Sequence, residues 1–244
     1  MFHDIMTCLG KEFNFYFRSK MIYLLLFVYL AMSAGFTFYL SDFYQETTVN
    51  LYQFFKYQPA IMALIVPALA MRLWADEYRH NTLEVLFAQP VNPAAAAIGK
   101  FLAVWSVSGL MLVLSWSMWL IVAMIVPLDN WWILANYLIT FLAVGSLCAL
   151  SAAASAFCYN MLGAFLASFA ICLVATTVNF SLWLGRLSGA DSWQWLRFIK
   201  AFDFAGIYND MVMGQAGISG AAYFIILIAA ALGISVAAAD YKRS

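Results

Sequence analysis

The sequence predicts an all-α integral membrane protein of six transmembrane helices, with an amphipathic helix before the first span and a short helix in the loop after the second. Three observations carry that prediction. Hydrophobic residues make up 66% of the chain and charged residues 10%, against roughly 45–50% and about 25% in soluble domains, so polar surface is too scarce to cover a globule in water. The apolar residues fall into six runs, each near the ~20 residues that a bilayer core of ~30 Å demands of a helix. The charges crowd between the runs, above all in Met71–Lys100, which holds Arg72, Asp76, Glu77, Arg79, His80 and Glu84. Net charge is zero, so bulk electrostatics point to no nucleic acid.

Residues 1–20 precede the first run. Coiled as a helix they place Phe2, Ile5, Met6, Leu9, Phe13, Tyr16 and Phe17 on one stripe, with Asp4, Thr7, Lys11, Asn14 and Arg18 opposite. That rhythm suits a helix lying in the headgroup plane; a charged tail that only satisfies topology is the plainer alternative. Residues 21–244 form the six-span unit. The first run, Met21–Leu40, is uncharged, and its ~20 apolar residues exceed the roughly 7–15 of a cleaved leader. It reads as an anchor, with Ala31-Met32-Ser33-Ala34 a weak cleavage motif.

The second run extends from Phe55 to Trp74. Pro59 is expected in its first turn, where a missing N–H is harmless, and Pro67 at mid-span, where it frees the Ala63 carbonyl and predicts a kink. The third span occupies much of Phe101–Leu128. Asn130–Gly185 contains no charge and is long enough for two spans, joined by a turn near Cys158-Tyr159-Asn160; the sixth lies within Ser219–Ala239. An even number of spans puts both termini on one side. That side carries Lys11, Arg18, Lys20, Arg72, Arg79, Lys100, Lys242 and Arg243, the other Lys56, Arg186, Arg197 and Lys200, and the excess assigns the termini to the cytoplasm.

Two segments outside the spans have patterns of their own. In the loop of residues 75–93, Asn81 or Thr82 caps a short helix and Glu84 answers the exposed N–H. Leu83, Leu86 and Phe87 then share one face and Glu77, His80 and Glu84 another, while Pro90 ends the helix and Asn92-Pro93 opens the next. On the outer side, residues 186–210 interleave Trp193, Trp195, Leu196, Phe198, Ile199 and Phe202 with Gln194, Arg197 and Lys200. The tryptophans suit a membrane interface, either as a plain anchor or as a gate.

Several chemistries lack their residues. A phosphate-binding GxxxxGK[ST] loop finds its nearest echo at Ala94–Phe101, where Ala94 replaces the first glycine and Phe101 the Ser/Thr. The span interiors show no ionisable residue of the kind that marks ion-driven transport, only neutral groups such as Asn136, Thr140, Thr176, Thr177 and Asn179. His3 and His80 lie outside the apolar runs, and Cys8, Cys148, Cys158 and Cys172 form no CxxC pair, so no metal centre, disulfide or catalytic residue is assigned. What remains is a pathway-forming or scaffold protein powered from outside. Gly145-xxx-Ala149, Gly163-xxx-Ala167 and Gly233-xxx-Ala237 offer material for helix packing, though such spacings are common in spans.

The stretch QPAIMALIVPALAMRLWADEYRHNTLEVLFAQPV, Gln58–Val91, followed by IGKF, Ile98–Phe101, resembles the ABC-2 type transporter permeases, most of all the gliding-motility-associated subunits. The resemblance rests on Pro67-Ala68-Leu69, Met71-Arg72, Asp76-Glu77, Arg79, Thr82, Glu84, Leu86, Pro90 and Gly99-Lys100-Phe101, with a weaker echo in Phe202–Phe224. It departs at Asn81, where the family commonly has glycine, and at Asp76, where glutamate is usual; asparagine tolerates the left-handed turn best after glycine.

The resemblance implies a bacterial inner-membrane subunit that pairs with a second copy or a homologous permease. It implies an N-terminal interfacial helix, and a cytoplasmic coupling helix that docks on a separate ABC ATPase; ATP and Mg belong to that partner and no cofactor to this chain. The implied coupling residues are Asp76, Glu77, Arg79, Thr82, Leu83, Glu84, Leu86 and Phe87, with Leu83, Leu86 and Phe87 inserted and Glu77, Arg79 and Glu84 at the rim. Pro67 is the implied hinge. The expected cargo is lipid-linked or otherwise amphiphilic, with Trp116, Trp119 and Phe165 contributing to a lateral opening. Two alternatives stand beside export: mechanotransmission to a periplasmic or auxiliary partner through Trp193, Trp195, Phe198 and Phe202, and a non-transporting scaffold or insertase.

Overall fold

The structure, a computed structural model, describes residues 2–40, 51–75, 93–124, 129–177, 203–215 and 217–241. Every regular element among them is a helix. Helix α1 (Phe2–Arg18) stops at Ser19, whose hydroxyl accepts a hydrogen bond from the Met21 N–H at 3.3 Å and so caps α2 (Lys20–Gly35). A π-helical turn, Phe36–Leu40, extends α2. Then come α3 (Tyr52–Ala70), α4 (Pro93–Leu114), α5 (Trp116–Ala123), α6 (Asn130–Phe157), α7 (Met161–Thr177), α8 (Phe204–Val212) and α9 (Ile218–Tyr241). Three residues separate α6 from α7, and the Asn160 side-chain oxygen accepts from the Leu162 N–H at 3.3 Å. The turn expected there is in place.

Among the described residues four stretches are long and apolar enough to cross a membrane: Lys20–Phe38, Ala94–Ala123, Asn130–Phe157 and Ile218–Ala238. The expected second and fifth spans are the helices α3 and α7, of 19 and 17 residues, which fall outside that set. For α3 the reason is composition, since Gln53, Lys56, Gln58, Pro59 and Pro67 dilute its apolar residues. Yet α3 is hidden on nearly every side: Phe54, Phe55, Ile61, Met62, Ile65, Val66 and Leu69 are all buried, and so is Gln58. A helix buried all round meets protein, not lipid, and has no need of a fully apolar surface.

The centre of the bundle is α6, packed by α3, α4, α7 and α9. Its buried Ala143, Gly145, Ser146, Ala149, Ala152 and Ala156 keep the backbone accessible to close neighbours. At Gly145 the Trp105 indole of α4 lies so near that an added Cβ would be 2.8 Å from its nitrogen. That indole N–H donates to the Phe141 carbonyl at 2.9 Å, and the two rings stack at 4.6 Å. Gly163 and Gly233, by contrast, have nothing within 4 Å of a would-be Cβ. Those two small-residue pairs face away from the described chain.

Both prolines of α3 sit elsewhere than expected. The helix starts at Tyr52, so Pro59 is two turns inside it and frees the Phe55 carbonyl rather than lying harmlessly in the first turn. The Tyr208 hydroxyl of α8 donates to that carbonyl at 2.8 Å. Pro67 falls in the last turn, not at mid-span; the helix runs through it unbroken to Ala70, and the Met71 N–H bonds the Pro67 carbonyl at 2.9 Å. A third difference concerns Lys100. Because α4 begins at Pro93, this lysine is two turns into a candidate span and only 2% exposed, so the span interiors do hold a charge.

Candidate functional site

The polar loop joins the end of α3 to the start of α4, and its described roots are gripped by α1. The packed face of that helix is largely the apolar stripe the periodicity predicts: Tyr16 is buried and Ile5, Leu9, Phe13 and Phe17 are partly buried, while Met6 is 50% exposed and Cys8 and Glu12 extend the face toward α4. Gly99 makes the approach possible. A Cβ on it would sit 2.8 Å from the Cys8 Cβ and 3.1 Å from the Ile5 carbonyl oxygen. The Cys8 thiol also reaches the Ala96 carbonyl at 3.8 Å.

One residue further on, Lys100 Nζ forms an ion pair with Glu12 Oε1 at 3.2 Å, donates to the Leu73 carbonyl, and stands 5.2 Å from the centre of the Trp74 ring. A lysine moved into so dry a place is stabilised only when its donors and its charge are both answered, and three groups answer them here, one from α1 and two from the turn after α3. The Tyr16 hydroxyl donates to the Leu69 carbonyl at 2.7 Å, and the Arg72 guanidinium lies 4.5 Å over the Phe15 ring. From α6, Ser155 Oγ donates to the Met71 carbonyl at 3.5 Å and accepts from the Trp74 N–H at 3.4 Å. The end of α3 and the start of α4 are therefore tied to one another through α1 and α6.

The opposite end of the bundle is organised mainly by neutral groups, Asp203 at the N-cap of α8 being a buried carboxylate there that accepts from the Gly206 N–H at 3.0 Å. Tyr29 donates to Gln58 Oε1 at 2.9 Å, and Gln58 Nε2 donates to Ser33 Oγ at 3.1 Å. Tyr137 donates to the Ser115 carbonyl at the bend between α4 and α5. Tyr208, whose own proton goes to the Phe55 carbonyl, accepts from the Thr140 hydroxyl at 2.9 Å; burial pushes the Tyr208 hydroxyl well above its ordinary pKa, so it remains protonated. Phe55 meets Tyr137 and Trp132 edge-on at 5.1 and 5.7 Å. Beside this network Trp116, Trp119, Trp131, Ile133, Leu134 and Tyr137 line a cavity of about 270 Å³. Phe165 does not line it, and stacks on Phe169 at 5.9 Å instead.

Of the residues singled out from sequence, Pro67, Leu69, Met71, Arg72, Gly99, Lys100 and Phe101 are described, and all border the α1 contact or the helix ends it holds. The coupling residues Asp76, Glu77, Arg79, Thr82, Leu83, Glu84, Leu86 and Phe87 lie outside the described residues, as do Trp193, Trp195, Phe198 and Phe202. Sequence reasoning missed Glu12, Tyr16, Trp74 and Ser155. Glu12 had left a signal, since it interrupts the apolar face of α1 at a position that a purely interfacial helix would give to a hydrophobe.

Long apolar helices around a core with few charged groups, with most of the charge outside the spans, mark a multi-pass membrane protein. A family model described as ABC-2 family transporter protein matches residues 11–179, and the chain belongs to that family. The match begins beside Glu12 and runs through α7, so it takes in both roots of the loop and their ties to α1. No curated protein matches the chain.

Proposed function

We propose that this chain is the permease subunit of an ATP-driven ABC-2 exporter, with six spans per copy, used as a pair in a bacterial inner membrane and driven by separate ABC ATPase subunits. The observation that carries the reading is the double tie of α1 to the loop roots: Tyr16 to the Leu69 carbonyl, and Glu12 through Lys100 to the Leu73 carbonyl. A loop that receives force from a soluble engine has to pass it to two spans at once, and a shared ionic anchor does that. In this reading residues 81–89 are the coupling helix, with Leu83, Leu86 and Phe87 seated in a groove of the ATPase and Asp76, Glu77, Arg79, Thr82 and Glu84 about the contact. Pro67, one turn from the anchor, lets the end of α3 follow the loop.

The cargo is amphiphilic, in keeping with the neutral polar groups and aromatic cavity at the other end of the bundle. The Gln58–Phe101 motif favours a place among the gliding-motility-associated permeases. Purification of the tagged chain from its native membrane, with mass spectrometry of what accompanies it, tests the reading. A Walker-motif ATPase is expected with the parent chain and is lost with Leu86→Asp while insertion persists. A chain that comes out alone, or an ATPase that stays with Leu86→Asp, overturns it.

A further inference from the structure

A cleft of about 450 Å³ opens between α1 and the end of α3, lined among others by Lys11, Arg18, Arg72 and Lys100, with Glu12 the one carboxylate among the described residues of its wall. It is a built hollow, since Arg72 is laid over the Phe15 ring at 4.5 Å and Lys100 is fixed by its ion pair. Phe15, Tyr16 and Arg72 also border a narrow gap of about 10 Å³ that reaches Met21 of α2, and from Met21 the outer face of α2 is exposed and apolar through Leu24 and Phe27. The candidate span of α2 begins at Lys20, so the cleft stands at headgroup depth and that face at the depth of acyl chains. A basic hollow beside an exposed apolar helix face has the polarity of one phospholipid molecule: anionic head, hydrocarbon tail.

We infer that this cleft binds an anionic phospholipid of the surrounding bilayer, the phosphate held by Lys11, Arg18 and Arg72 and an acyl chain laid along the exposed face of α2 at Met21 and Leu24. Basic pockets between membrane helices suit such headgroups, and exposed cations at a membrane surface add attraction for them. The lipid bridges α1 to α2 and the end of α3, with the paired Lys100 of α4 in the wall of the same cleft. The inference needs only the membrane setting of the chain and stands apart from its transport role.

The test uses the full chain in its native assembly, purified in a neutral detergent and offered phosphatidylglycerol, phosphatidylcholine or sn-glycerol 3-phosphate, with bound ligand read by native mass spectrometry. Phosphatidylglycerol should bind at least about tenfold more tightly than phosphatidylcholine, and the Lys11→Gln/Arg18→Gln pair should weaken it by a factor on the order of ten to thirty. Lys20→Gln, which removes one charge just outside the cleft, should change binding less than about twofold, where Arg18→Gln alone should cost several-fold, and Lys11→Arg/Arg18→Lys should bind like the parent. Equal binding of the two lipids overturns the inference, as does an equal loss with Lys20→Gln, which would mean diffuse surface charge. Loss in the charge-preserving pair also overturns it, and so does competition by glycerol phosphate as strong as by the lipid, which would make the cleft a site for a soluble phosphate.

Discussion

The two ends of the bundle solve the same problem, polar groups within an apolar protein, by opposite means. At the α1 end one buried ammonium is answered by a carboxylate from α1, a carbonyl from the end of α3 and the face of Trp74. At the other end hydroxyls and amides are shared in pairs, each closing one bond: Tyr29 with Gln58, Gln58 with Ser33, Tyr208 with Thr140 and with the Phe55 carbonyl. An ionic anchor is all-or-nothing, because removing one partner strands a charge where water cannot reach it. A neutral network loses one bond at a time. The first arrangement suits a place where two helices have to move together, the second a place where packing has only to be kept in register.

That contrast yields predictions of graded size. Glu12→Ala is expected to cost most, about 3–5 kcal/mol, because Lys100 stays buried with only part of its partnership; thermal unfolding in detergent measures it. An unchanged melting point would show that the ionic end is no anchor at all. Gly99→Val comes next, at about 1–3 kcal/mol, since its side chain meets Cys8 and the Ile5 carbonyl and α1 has to give way. The readout is the rate of maleimide labelling at Cys8, which should rise relative to Cys158; equal rates would mean that α1 is held without close contact.

At the neutral end Tyr208→Phe should cost only about 0.6–1.7 kcal/mol and leave Cys8 labelling untouched. Combined with Glu12→Ala it should add within roughly 0.5 kcal/mol, as distant sites do; a larger coupling would join the two ends into one unit and break the comparison. Tyr29→Phe is the smallest, near 0.6 kcal/mol, because Gln58 keeps its bond to Ser33.

Much of this was legible in the sequence, and the failures have physical causes. The helix pair at Asn130–Thr177 with its turn at residues 158–160 followed from an uncharged run too long for one span. The N-terminal helix and most of the face it packs followed from its period, but the part of Glu12 did not, because periodicity sees hydrophobes and Glu12 is held by a single lysine far along the chain. Lys100 looked like a loop residue. Asn92-Pro93 marked where that helix starts, but nothing local tells that its first two turns are covered by another helix. For α3 the error ran the other way, for a span buried on every side needs less hydrophobicity than its apolar neighbours, and composition alone misplaces its ends and its prolines. The motif Gly99-Lys100-Phe101 was found by resemblance; the structure supplies a reason for each member, a close approach, an ion pair, and a ring stacked on Trp105 at 5.4 Å.

The hydrogen bond from Tyr208 to the carbonyl that Pro59 leaves open joins residues 153 positions apart. At translation speeds of about 5–20 residues per second, the donor leaves the ribosome roughly 8–30 s after its acceptor. During that interval α3 is a nascent helix with an unanswered carbonyl, a buried-to-be glutamine and a lysine, poorly suited to lipid on its own. Tyr29 and Ser33 of α2 are made first and already wait for Gln58. Biogenesis should therefore pass through an α2–α3 hairpin sheltered at the insertion machinery, released only when the C-terminal part of the chain arrives to close it.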